Sequence, residues 1–262
     1  MIEDRLALHT RPRPAPEGPG PDRQSRICGV APVQALFLRR ADQVARLFYV
    51  PERRGVAGPL CAYLARKRRP YREVPAEELE RIAGTQHHGG ICAIAARRVA
   101  EPLAGPLPEG VRAAMLHPVL DGIGNPHNLG AIARSAAFLG CRALFLTMDP
   151  RQAELSDAAF RTAEGGLEHL AVHRLPGLAS LPAALGRPVL TVAAVAAGGQ
   201  PPEALPRDRP IALVLGNEEQ GLRPETLAAC EARVTLPGSG LVESLNVSAA
   251  AAVLLYALRP RG

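Results

Sequence analysis

The chain of 262 residues has no tryptophan, only four tyrosines and five phenylalanines, and a single lysine, Lys67. Hydrophobic residues still make up 47% of it, so a sizeable core is within reach, in one large domain or two small ones. With lysine nearly missing, arginine carries the positive charge, and the formal net charge is +6. That balance favours a polyanionic partner, nucleic acid first, although a generally Arg-rich chain reads the same way. The five cysteines (Cys28, Cys61, Cys92, Cys141, Cys230) form no CxxC pair. Their scatter excludes metal-ligand spacing and argues against a disulfide framework, leaving reduced, mostly buried thiols in a cytoplasmic protein. The first ten residues are acidic and hold no apolar signal core. No apolar run reaches the length of a membrane span without a charge, Pro or Gly.

Residues 1–26 are rich in Pro, Gly and Arg and show no hydrophobic period, the composition of a disordered basic tail. From Ile27 the pattern becomes globular. Helices are expected over 32–40 and 59–69 and from Pro75 onward, with strands over 46–50, 71–74 and 91–96. Glu77, Glu78 and Glu80 follow Pro75, where negative charge suits a helix N-terminus. Residues 27–98 thus describe a small α/β domain. Residues 99–112, with EPLAGPLPEG at 101–110, read as an interdomain linker. Over 113–262, apolar strands (113–120, 142–147, 170–175, 189–196, 211–215) alternate with helices (127–139, 157–168, 178–185). The second of these helices is interrupted by Gly165-Gly166. Continuous apolar strands separated by helices imply a parallel sheet covered on both faces. The last helix, 245–258, consists mostly of Ala, Leu and Val; apolar nearly all round, it is expected to be buried.

In such sheets ligands bind at the carboxyl ends of strands, and three strand ends here run into small or polar residues. The first, NPHNLGAIARS (125–135), puts Asn128 and Gly130 at a helix start and Arg134 one or two turns inside. By spacing alone Arg134 is either a snorkelling surface side chain or a buried anion ligand. The second, LGNEEQGL (215–222), carries Glu218 and Glu219 in a turn, where composition alone makes them solvated loop acids. The third, LPGSGLVESLNVS (236–248), leads through a Gly-rich loop to Ser244, Asn246 and Ser248 at the first turn of the last helix. Free backbone N–H groups at a helix start can hold polar ligand atoms.

In order, spacing and wording these segments resemble the three signature motifs of the SpoU (TrmH-like) branch of SPOUT RNA ribose methyltransferases. Asn128, Gly130 and Arg134 match the first motif, and Gly216-Asn217-Glu218-Glu219-Gln220-Gly221 the second. Pro237 and Ser244-Leu245-Asn246-Val247-Ser248 match the third, so the resemblance covers 113–258. Gly29, Val33, Leu36 and His88-Gly89-Gly90-Ile91 resemble the small substrate-binding domain of that family. The doubled His87-His88-Gly89-Gly90 is most similar to its tRNA/rRNA methyltransferase branch. Asn125 departs from the pattern, since many relatives carry Asp before the Pro.

The resemblance implies an α/β fold: a parallel-sheet SPOUT domain with a trefoil knot behind a small α/β substrate-binding domain. It further implies a homodimer, S-adenosylmethionine as cofactor, and methyl transfer to a ribose 2′-hydroxyl of tRNA or rRNA. By the same matching Asn128, Arg134, Glu218, Ser244 and Asn246 take catalytic roles. Leu215, Gly216, Asn217, Leu236, Gly238, Leu245 and Asn246 then hold the cofactor. Glycine at 216, 238 and 240 permits close backbone approach, and the leucines can wall an adenine. RNA capture falls to Arg66, Lys67, Arg68, Arg69 and Arg72 beside Tyr71, and to His88; a solvated helix end explains the same basic run. His87 and His88 lack a Cys or acidic partner at ligand spacing, so no metal is expected. A dinucleotide-binding reading of Gly122-Ile123-Gly124 fails on the missing third glycine and on Pro126. A non-catalytic RNA-binding or ribosome-assembly protein on the same fold is the alternative, and intact Arg134, Glu218 and Ser244–Asn246 count against it.

Overall fold

Residues 23–260 are described in the computed structural model. The small domain is a four-stranded sheet of β1 (Gln24–Cys28), β2 (Val44–Tyr49), β3 (Tyr71–Glu73) and β4 (Ile91–Ala96), in the order β1-β4-β2-β3. Strand β4 runs antiparallel to β1 and β2, while β3 is parallel to β2. Alternation along β4 sorts its two faces. Ala93 and Ala95 pack with Val33 and Leu36 of α1 (Val30–Arg40) and Leu64 of α2 (Arg54–Arg66). Cys92 and Ile94 pack with Leu79 and Ala83 of α3 (Ala76–Ala83).

Two expected boundaries move here. The tail was expected to reach residue 26. Residues 1–22 lie outside the described residues, but residues 24–26 already belong to β1, pairing with Ile94, Ala95 and Ala96. Ile27 is fully buried in that strand, and the ladder that seats it extends to the polar residues before it. Helix α2 begins at Arg54 and contains Pro59, which the sequence placed at its start. A 3₁₀ turn over Pro51–Arg53 and a first helical turn form ahead of the proline, which then removes one backbone hydrogen bond from a continuing helix.

The large sheet is parallel throughout and holds seven strands in the order β11-β9-β10-β6-β7-β8-β5. They are β5 (Glu101–Pro102), β6 (Leu116–Asp121), β7 (Ala143–Thr147), β8 (Ala171–Leu175), β9 (Leu190–Ala194), β10 (Ile211–Gly216) and β11 (Ala232–Val234). Leu213 and Leu215 of β10 face α5 (Pro126–Phe138) and the chain's last helix, while Ala212 and Val214 face the layer of α4 (Glu109–Arg112) and α8 (Leu181–Leu185). Both faces are therefore covered, as the continuous apolar strands require. Helix α5 crosses α6 (Asp157–Ala163) at Gly130, where an added Cβ would lie 2.5 Å from the Ala159 carbonyl oxygen and 2.8 Å from the Thr162 side chain. Only glycine allows that approach.

The stretch expected as a linker is part of this domain. Glu101 and Pro102 add β5 to the sheet edge beside β8, where proline is tolerated because its missing donor faces outward. Leu107 and Val111 are buried with α8. The last helix, α10 (Val247–Leu258), also departs from expectation, since it is not buried all round. Ala251, Leu254, Leu255 and Leu258 enter the core, whereas Val253 and Tyr256 are 47% and 60% exposed. An apolar composition is compatible with two faces of different fate, one packed against the sheet and one open in the single chain. Among the described residues no helix is long and apolar enough to cross a membrane.

The two domains share one core, in which Ile27, Leu36 and Ala95 are continuous with Ala133, Phe160 and Leu167. Gly165, between α6 and α7 (Gly166–His169), admits α1 so closely that an added Cβ would sit 2.9 Å from Ala35 Cβ. Beside this seam Arg40 grips Glu168 with both arms, Nε to Oε2 at 2.7 Å and Nη2 to Oε1 at 2.8 Å. The side chains are 9% and 1% exposed. Arg98 donates to the carbonyls of Leu167 and Leu170 from the small-domain side, and burial lowers its pKa. Removing one member of a buried pair leaves the other charge uncompensated. Glu168→Ala is therefore expected to cost about 3–5 kcal/mol in urea unfolding of the whole chain. A loss below about 1 kcal/mol would place the pair among surface bridges and remove it as the fastener of the seam.

Candidate active site

The parallel register places Asp121, the last residue of β6, beside Gly216, the last of β10. The chain leaves both strands at one level and enters loops that must share the space above the sheet. After β6 it turns through Gly122 into α5. Asn125 caps that helix, its Oδ1 accepting from the His127 amide at 2.8 Å. Asp and Asn cap equally well, so the departure from Asp at this position preserves the local structure. After β10 the loop Asn217–Gly221 closes on itself through paired backbone bonds of 2.9 Å each way between those two residues. Asn217 Oδ1 accepts from the amides of Glu219 and Gln220, which makes the loop a rigid turn. After β11 the chain runs through Pro237 and Gly238 to α10, capped by Asn246.

These three segments meet in a directed chain of hydrogen bonds. Asn246 Oδ1 accepts from Ser248 Oγ at 2.6 Å and from its amide at 2.9 Å. Asn246 Nδ2 donates to Asn128 Oδ1 at 3.2 Å, and Asn128 Nδ2 donates to Glu218 Oε1 at 2.6 Å. Residues separated by 90 and 118 positions in sequence thus form one cluster ending in a carboxylate. Charge-assisted bonding to Glu218 fixes which face each amide presents.

Not all sequence-selected residues join it. Arg134 lies six residues beyond Asn128 on α5, about 9 Å further along the axis and about 240° round it. Its side chain is exposed and has no partner among the described residues. Ser244 is likewise exposed and unpartnered among the described residues. Of the expected cofactor residues, Leu215 is buried, Gly216, Asn217 and Leu236 are half-buried, and Gly238, Leu245 and Asn246 are exposed. The basic run of the small domain is largely occupied. Arg69 donates to the Val44 carbonyl at 2.6 Å, Lys67 pairs with Asp42 at 3.3 Å, and Arg72 pairs with Glu78. Arg66 and Arg68 are the two exposed cations of that run without an acidic partner among the described residues. His88 accepts the Gly90 amide on Nδ1 at 3.0 Å, which shapes the turn into β4.

Sequence reasoning missed the ionic layer beneath the cluster. Asp121 is fully buried and accepts from Thr147 Oγ1 at 2.8 Å and from Arg223 Nε at 3.0 Å. Asp149, just past β7, accepts from Arg151 Nη2 at 2.7 Å and Nε at 3.0 Å. Hydrogen bonds from Arg151 are the main reason that the Asp149 carboxyl is held down to about 2. An Asp closing an apolar strand was the available signal for this layer, because a charge at that depth requires a partner.

Residues 115–256 match the SpoU rRNA methylase family, and residues 26–98 match the RNA 2′-O ribose methyltransferase substrate-binding family. A protein of Escherichia coli O157:H7 named as the uncharacterized tRNA/rRNA methyltransferase YfiF is 30% identical over 88% of this chain and 67% of its own length. The 23S rRNA (guanosine-2′-O-)-methyltransferase RlmB of Ralstonia nicotianae is 35% identical over 72% of this chain and 78% of its own. The SpoU methyltransferase AviRb of Streptomyces viridochromogenes, solved with AdoMet, shares the fold with a TM-score of 0.71 at 23% identity. That match covers 90% of this chain and 89% of AviRb.

Asn128→Asp would face Glu218 with a second carboxylate across 2.6 Å. Two such groups cannot both stay ionised, so one is pushed up in pKa. Carbon-13 titration of the carboxyl groups is expected to show in the variant a raised step that the parent chain lacks. Identical titration curves would mean that the pair does not form in solution.

Proposed function

Because the chain belongs to the SpoU rRNA methylase family, we propose that it methylates a ribose 2′-hydroxyl of tRNA or rRNA, with S-adenosylmethionine as the donor. The observation that carries this reading is the Asn246–Asn128–Glu218 cluster, which joins all three signature segments at the carboxyl ends of the sheet. The trefoil knot and the cytoplasmic location implied by the sequence belong to the same reading.

The residues present suit such a cofactor. The end of β9 lies between β10 and β11, flanked by Leu215-Gly216 on one side and Leu236 on the other. Gly216 lets the Gly221–Leu222 backbone close over the strand end, since an added Cβ would lie 2.4 Å from it. When bound between these segments, the cofactor would supply an electrophilic methyl group on its sulfonium. The protein's tasks are to align the hydroxyl and to help its proton leave. Glu218 and Asn128 offer an acceptor and an oriented amide for the ribose. Arg134 stays protonated in any protein environment, so it acts by holding an RNA phosphate or a developing alkoxide rather than by taking the proton.

In a single chain Arg134 is exposed and stands about 240° round α5 from Asn128, outside the hydrogen-bonded cluster. A homodimer packed through the open face of α10, where Val253 and Tyr256 are exposed, supplies the second surface that the reading requires. RNA capture by the small domain is assigned to Arg66 and Arg68, the members of the basic run left unpaired by acids, beside Tyr71, which is 43% exposed.

Incubation with methyl-labelled S-adenosylmethionine and total RNA from a strain lacking the gene tests this. Label is expected in one RNA band, at a single alkali-resistant internucleotide bond. Arg134→Ala and Arg134→Lys are expected to abolish transfer while leaving cofactor binding intact. Near-normal turnover in either variant removes Arg134 from the reaction. No labelled RNA despite cofactor binding would favour a non-catalytic RNA-binding protein.

A further inference from the structure

The loop that carries Glu218 is held in place at three points, two of them through arginines outside the matched motifs, Arg223 and Arg151. At its base Asn217 Nδ2 donates to the Gly122 carbonyl at 2.8 Å, which ties it to the loop before α5. At its exit Arg223 turns back beneath it. Its Nη2 lies 2.8 Å from Asp121, and its Nε lies 3.4 Å from Asp149. At its tip Gln220 Oε1 accepts from Arg151 Nη1.

Arg151 is itself immobilised. Its Nε, its Nη2 and its own amide, the last at 2.8 Å, all donate to Asp149, whose side chain is 1% exposed. Gln152, next in sequence, holds the facing loop. Its Oε1 accepts from the amides of Gly122 and Ile123 at 3.2 and 3.1 Å, and its Nε2 donates to the Ile123 carbonyl at 3.1 Å. The segment after β7 thus braces both loops at once, the one leading to Asn128 and the one bearing Glu218. A turn anchored at base and exit can still tilt, and its tip is the point that Arg151 holds.

We propose that Arg151, clamped by the buried Asp149, is a positioning residue that sets Glu218 against Asn128 through Gln220. The proposal rests on the reading of that cluster as the methyl-transfer site. Glu218 sits two residues from the pinned tip, so the 2.6 Å bond to Asn128 depends on where Gln220 is held. Misplacement by about 1 Å is enough to cost about two orders of magnitude in rate.

Two variants remove the link from opposite ends, Arg151→Ala and Gln220→Leu. Gln220 is exposed, so its replacement leaves folding intact even if loss of Arg151 does not. The full chain is assayed for single-turnover methyl transfer and, separately, for S-adenosylmethionine affinity. Both variants are expected to slow transfer about 10- to 100-fold with the cofactor Kd within about 3-fold of the parent. In a Glu218→Gln background neither is expected to slow transfer further, because the group they position is already gone. Parent-like transfer in Gln220→Leu, or an undiminished extra loss in the Glu218→Gln background, overturns the proposal. If Glu218→Gln alone transfers normally, the reading of the cluster as the site fails instead.

Discussion

Asp121 ends the central strand of the large sheet with a charge that no water reaches, and the architecture above the sheet follows from that fact. A buried carboxylate is tolerated only when paired and hydrogen-bonded. The partners are Thr147, at the end of the neighbouring strand, and Arg223, which comes from beyond the second signature segment. To reach Asp121, Arg223 draws the chain after Gly221 back over the strand ends. Asp149 and Arg151 extend the same layer sideways. The Glu218 loop is therefore tied by directional bonds to an ionic floor, and through Asn217 to the loop before α5. A hydrophobic floor of similar volume would be at least as stable, but it would not fix orientation by directional bonds.

The seam between the domains uses the same device. Its apolar part is a continuous core, which resists separation but specifies direction poorly. Arg40 and Arg98 both approach Glu168 from the small domain, and their guanidinium geometry fixes how that domain lies on α7. In the proposed function the small domain captures RNA that the large domain methylates. A fixed relative orientation then converts RNA binding at one place into ribose alignment at another.

Much of this was legible in the sequence, and the exceptions have physical reasons. The strands with continuous Val, Leu and Ala were readable because burial on both faces leaves no polar alternation, and 91–96 falls where β4 does. The stretch 101–110 was misread because Pro and Gly signal a loop, while a short edge strand needs no hydrophobic period. The last helix was placed correctly but taken as wholly buried. Composition cannot separate a face packed in the chain from one left for a partner surface. Asn128, Glu218 and Asn246, which the structure joins by hydrogen bonds, were singled out through motif resemblance, since on spacing alone each reads as an ordinary cap or loop residue. The carboxylates and arginines under them went unseen. Pairings such as Asp121 with Arg223 span 102 positions and leave no local pattern.

The central claim is that the strand-end segments after β10 and β11 bind S-adenosylmethionine together. Backbone hydrogen exchange with and without the cofactor tests it most directly. Slowed exchange is predicted within 215–222 and 236–248, with the small domain unchanged. Unchanged exchange in both stretches under saturating cofactor, or protection confined to residues 27–98, would contradict the account.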